Sequence, residues 1–194
     1  MLAIFRTLAA GSFVALAAFA ITVDVCAGET VPDRSDRLKV AEPELRQLVA
    51  EGLRRSETFE QMVENVGRSP WVVYLQPGPC PERAAVACLL HVVGTYEGRR
   101  YVRVLVSYKG RHRDSVIATL GHELQHVLEV AQSPAVTDAA SMQDLFRRIG
   151  TVRMRTASTT VYETERAQAV GDQVGRELRT GRNARTDEVA RAGS

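Results

Sequence analysis

The chain is short of nearly everything that would mark it for a nucleic-acid partner, a polytopic membrane fold or a disulfide scaffold. Its formal charge is only +2 over 194 residues, and its basic residues are scattered, which excludes a dense basic patch for nucleic acid or an acidic membrane surface. Lysine is almost missing, with Lys39 and Lys109 alone against many arginines. Aromatics make up 6%, tryptophan occurs once, and no internal repeat or low-complexity tract is present, so a solenoid or low-complexity chain is excluded. There are three cysteines and four histidines. Scarcity makes each of these residues worth placing.

One long apolar run exists, from Leu8 to Val23, preceded by Arg6 and followed by Val25-Cys26-Ala27. A single basic residue, an apolar core and small residues before Gly28 read as a secretory signal peptide over 1–27, cleaved after Ala27. The run is shorter than the roughly 20 residues that cross a bilayer, and no second such run follows, so no stable membrane span is expected after cleavage. Export, to a periplasm or the outside, then leaves Cys80 and Cys88 as an even pair in an oxidising compartment. A short-loop disulfide is expected, with two buried thiols as the alternative.

Residues 28–41 are polar and proline-bearing and read as a linker, 42–181 as one domain, and 182–194, where apolar residues thin out, as a flexible tail. Within the domain, Pro43 opens a helix with inward Leu45, Leu48, Val49 and Leu53, and Ser56 caps a second one that Gly67 stops. Trp71–Leu75, Ala85–Thr95 and Tyr101–Tyr108 read as three strands, and their order suggests an antiparallel meander. A helix from Asp114 or Ser115 to about Ala131, a short one over Ser141–Ile149 and a final one over Tyr162–Arg179 complete an α+β pattern.

The chemistry is concentrated in His122-Glu123-Leu124-Gln125-His126, an HExxH pentapeptide. On a helix, residues four apart share a face, so both imidazoles can reach one ion at about 2.0–2.1 Å. Glu123 flanks that ion and can take a proton from a coordinated water. Leu120, Leu124, Val127, Leu128 and Ala131 form an apolar stripe on the other side, so that one face packs while the other coordinates. The bland alternative is a surface helix with two solvated histidines.

The longer run from Thr119 to Leu128 resembles the extended signature of zincin metallopeptidases. That resemblance implies a zincin-like domain with a small antiparallel sheet packed against the HExxH helix. It also implies Zn2+ as cofactor, a peptide or protein as substrate, and a third protein ligand from elsewhere in the chain. The metzincin variant needs a histidine after His126, and none follows; Glu129 stands where that variant turns on glycine. The gluzincin variant takes a glutamate from a later helix, which directs attention to Glu163 and Glu165. Helical facing favours Glu163, which shares a face with Ala167, Val170, Val174 and Leu178, whereas Glu165 lies with Asp172, Arg176 and Arg179. A capping box from Thr160 to Glu163 is the competing role for that carboxylate.

The expected site is therefore His122, His126 and Glu163 around zinc, with Glu123 as the catalytic base. Gluzincins often carry an acidic residue four places after the glutamate, where this chain has Ala167; Glu129, on the face of the histidines, is the candidate to orient one of them instead. Tyr108, His112 and Tyr162 are each candidates to steady an oxyanion, and His91 reads as a core or edge histidine. The rival function is an exported zinc-binding or interaction module without hydrolysis. Oligomeric state is not legible.

Overall fold

The computed structural model describes residues 37–82, 84–155 and 160–192, with side chains as far as residue 181; the segment read as a signal peptide lies outside the described residues. The architecture is α+β, with five helices, a five-stranded sheet and a separate two-stranded hairpin among the described residues. β1 (Leu38–Val40) leads into α1 (Pro43–Arg55) and α2 (Glu57–Arg68), and β2 (Trp71–Pro77) follows. Pro43 begins α1, where a missing N–H leaves nothing unbonded, and the Ser56 hydroxyl caps α2 by accepting from Phe59 N at 3.0 Å. α2 continues past Gly67 to Arg68. β1 falls within the stretch read as linker, so the ordered fold begins earlier than position 42.

The three predicted strands do not form a meander. β2 pairs in parallel with β5 (Arg99–Val106), and β1 extends the same parallel set. The segment read as one strand over 85–95 is two short strands, β3 (Ala87–Leu89) and β4 (Gly94–Tyr96), both antiparallel to β5 along its other edge. β2 and β5 share the centre, since Trp71, Val73 and Leu75 on one and Val102, Val104 and Val106 on the other are all but fully buried and both strands are long enough to pair on both sides. The 87–96 segment cannot do so. Its ladder shifts between Leu89↔Val104 and Gly94↔Tyr101: the Leu90 N–H still donates to the Arg103 carbonyl at 2.9 Å, and residues 91–93 bulge out of it. The tight turn at Glu97 and Gly98, both with positive φ (48° and 73°), closes β4 onto β5 as a two-residue hairpin.

α3 (Arg113–Ala131) carries the HExxH motif and packs against α1, α2, α5, β3 and β5. It is enclosed on nearly every side, with 13 buried residues including Glu123, Gln125, His126 and Glu129, so the expectation of one packed and one coordinating face is too simple. The polar residues are buried as well. Arg55 fastens its N-terminal end by bonding Asp114 Oδ1 at 2.9 Å and the Leu178 carbonyl of the last helix at 2.8 Å.

α4 (Ala139–Ile149) starts from an Asp138 cap, and β6 (Thr151–Arg155) and β7 (Thr160–Glu163) form the separate hairpin. α5 (Glu165–Ala192) then returns across α3 and extends through most of the stretch read as a tail. The final helix thus starts three residues later than its apolar pattern suggests. Residues 160–163 are extended, and Thr164 caps α5 by accepting from Ala167 N at 3.2 Å. Cys80 and Cys88 are disulfide-bonded with Cα atoms 5.9 Å apart, tying the loop after β2 to β3. Among the described residues, no helix is long and apolar enough to cross a membrane.

Candidate metal centre

α3 presents His122 and His126 one turn apart, with ring centroids 4.8 Å from each other and planes at 83°. Glu163, the last residue of β7, meets them. Its Oε1 lies 3.2 Å from His122 Nε2 and 3.4 Å from His126 Nε2. A charge-assisted N–H···O bond is usually about 2.7–2.9 Å, so both spacings are long for hydrogen bonds. They suit something else. Ligands about 2.0–2.1 Å from a tetrahedral ion stand about 3.3–3.4 Å apart, close to the two spacings that involve Glu163, and the three ligand atoms all lie within 4.8 Å of one another. The two imidazoles also converge on one and the same oxygen. The buried group of His122, His126 and Glu163 can hold a metal ion, and its two nitrogens and one carboxylate oxygen fit a borderline divalent cation.

Glu163, and not the exposed Glu165, stands at the histidines. The element that delivers it differs from the expected one, since Glu163 sits at a strand end and the helical-face argument for it does not apply. Nor does Glu163 act in a capping box with Thr160, which lies in β7. The strand end is held closely. A Cβ on Gly150 would come within 2.9 Å of the Glu163 carbonyl oxygen and 3.0 Å of the Phe146 carbonyl oxygen, so glycine permits the approach of α4 to β7. Ala167, fully buried in the first turn of α5, and Gly171, whose added Cβ would be 3.1 Å from His122 Cβ, let α5 lie against α3.

Glu129 orients His126. Its Oε2 lies 2.9 Å from Nδ1, which leaves Nε2 for the metal side, and its Oε1 accepts from Thr164 Oγ1 at 2.8 Å. Glu123 occupies the β3 side of the group, its Oε2 accepting from the Leu89 backbone N–H at 2.7 Å. Charges follow this wiring. Burial pushes His126 down, but the bond to Glu129, the close Glu163 carboxylate and the field of Glu123 and Glu129 outweigh it and carry the metal-free imidazole up to about 9. Burial raises Glu163, and its contacts with His122 and His126 more than reverse that, holding it well below the usual carboxylate range. Glu129 is likewise lowered against its burial by His126, Thr164 and Gln125.

The group opens into a cleft of about 840 Å³ lined by β3, β7, α4 and the motif face of α3. Of the proposed oxyanion residues, only Tyr162 lines it. Tyr108 is buried beside Glu42 and Glu44, and His112 is the exposed residue before α3. His91, read as a core or edge histidine, is half-buried and lines the cleft. The 91–93 bulge brings it in, and its ring stacks on Phe146 at 5.6 Å, with Phe146 in turn 5.3 Å from His126. Burial, then the nearby His126, keeps His91 below its ordinary pKa. Sequence reasoning passed over Thr164 and Arg153 as well. Only the Thr164-Glu165 cap pattern could have drawn attention to Thr164.

No family model, curated protein or solved structure matches this chain. Among the described residues one cluster has metal-binding chemistry: two imidazoles one helix turn apart, meeting one oxygen of a buried strand-end carboxylate.

Proposed function

We propose that the protein is an exported zinc-dependent hydrolase of gluzincin-like zincin type, acting on peptide bonds. One observation carries the reading: His122 Nε2 and His126 Nε2 both approach Glu163 Oε1, at 3.2 and 3.4 Å, with Glu123 beside them lining a cleft. Bound zinc would supply a Lewis acid that lowers the pKa of coordinated water to about 7. The remaining work belongs to the chain. Glu129 keeps His126 in the tautomer that offers Nε2, and Thr164 holds Glu129. The Leu89 N–H fixes Glu123 through Oε2, so that Oε1 is the oxygen to take the proton from the attacking water. As oxygen bonds to the carbonyl carbon and the C–N bond breaks, Glu123 returns that proton to the leaving amine. β3 and β7 both line the cleft, which suits an extended chain as substrate. The Cys80–Cys88 disulfide supports export.

The test has two arms. Elemental analysis of purified protein should find one equivalent of zinc, and a peptide library should be cleaved without chelator and spared with it. Zinc without cleavage would leave an exported zinc-binding module; no metal at all would refute the site.

A further inference from the structure

Arg153 stands at an irregularity in the hairpin that carries Glu163. β6 and β7 pair Val152 with Tyr162 and then Met154 with Val161, so Arg153 is the extra residue of a β-bulge with no partner across the ladder. Bulges redirect a side chain out of the regular alternation. Here Nη1 of Arg153 reaches Glu163 Oε2 at 3.2 Å. The two oxygens of that carboxylate are thereby divided. Oε1 faces the histidines and also accepts from the Thr164 backbone N–H at 3.1 Å, whereas Oε2 faces the guanidinium.

The pair is asymmetric in exposure, the Arg153 side chain being 65% accessible and that of Glu163 7%. A buried carboxylate beside a divalent cation has a second oxygen that can swing onto the ion. A cation already bonded to that oxygen opposes the swing, and an arginine does so without ever losing its proton. We propose that Arg153 is a positioning residue that restricts Glu163 to metal ligation through Oε1 alone, so that a coordination position stays open for water. The inference rests on the metal reading of His122, His126 and Glu163.

Metal affinity is a poor reporter of this role, because removing Arg153 both frees the ligand and removes a repelling positive charge, and the two effects oppose each other. Coordination number separates them. X-ray absorption on the full chain loaded with one equivalent of zinc should give four nitrogen or oxygen neighbours in the native protein. Arg153→Ala should give five, and Arg153→Lys, which restores a cation, should return to four. Cobalt in place of zinc gives a second readout, since the fifth neighbour weakens the visible absorption in Arg153→Ala and the lysine variant recovers it. Circular dichroism checks the fold of each variant. Four neighbours in both native protein and Arg153→Ala overturn the inference while leaving the metal site standing, as do five in the native protein. Failure of the native chain to take up zinc overturns the metal reading and this inference together.

Discussion

Thr164 Oγ1 donates a 2.8 Å hydrogen bond to Glu129 Oε1, and that one contact joins the two elements that build the candidate metal centre. The same carboxylate holds His126 Nδ1 on α3, and the same hydroxyl caps α5 directly after Glu163. Disturbing Glu129 should therefore be felt at the metal. Glu129→Gln is expected to weaken zinc binding by about 10- to 100-fold in a competition titration against a chromophoric chelator. Thr164→Val should cost about 1 kcal/mol in denaturant unfolding through loss of the cap. Unchanged zinc affinity in Glu129→Gln would remove it from the site.

Glu123 is tied to the Leu89 N–H, and a glutamine amide oxygen can accept that same bond. Glu123→Gln should keep one equivalent of zinc and lower peptide hydrolysis by at least about 10²- to 10⁴-fold, the usual worth of a positioned acid–base group. Undiminished hydrolysis would sink the mechanism.

Metal uptake is linked to protons. His126 of the metal-free protein holds its proton up to about 9, yet zinc needs the neutral imidazole. At neutral pH, zinc binding should release a proton from His126, seen by calorimetry as a heat that changes with the ionisation enthalpy of the buffer. The sign for the metal-free fold follows from a pKa raised above 6.5: the stabilisation is complete below 6.5 and is lost as pH rises through about 9. Buffer-independent heats would contradict this.

Glu177 of α5 accepts from Ser56 Oγ, Thr58 Oγ1 and Thr58 N at the start of α2, and from Gln173. Its burial favours the neutral acid, but these donors win and hold it near 2. A lowered pKa stabilises the fold above the ordinary 4.5 and ceases to do so as pH falls through about 2. Glu177→Gln should lower stability at neutral pH by about 1–3 kcal/mol and make acid unfolding less steep, with metal content unaffected. Identical acid titrations of the two proteins would refute it.

Gly150→Ala places a Cβ against two carbonyl oxygens, at 2.9 and 3.0 Å, one of them belonging to Glu163. Backbone has to shift. Expected are a loss of about 1–3 kcal/mol in stability and weaker zinc binding, measured on the same sample; native affinity would show that β7 yields without moving its carboxylate.

The sequence by itself determined what depends on neighbours along the chain. Helical spacing places His122, Glu123 and His126 together, and proline and serine at Pro43 and Ser56 mark the first two helices because capping is local. It named Glu163 ahead of Glu165, though for a helix that begins only at Glu165. Apolar spacing at Ala167, Val170 and Val174 extends smoothly backward into β7, so periodicity alone could not find the boundary that Thr164 sets. Only tertiary structure decided the rest. β2 and β5 lie side by side in parallel, with β3 on the far edge of β5, a pairing that buries the apolar faces of two long strands together and is invisible in any one segment. Arg153 and His91 reach the cleft through bulges, which arise where two strands fall out of register, and register is a property of the pair.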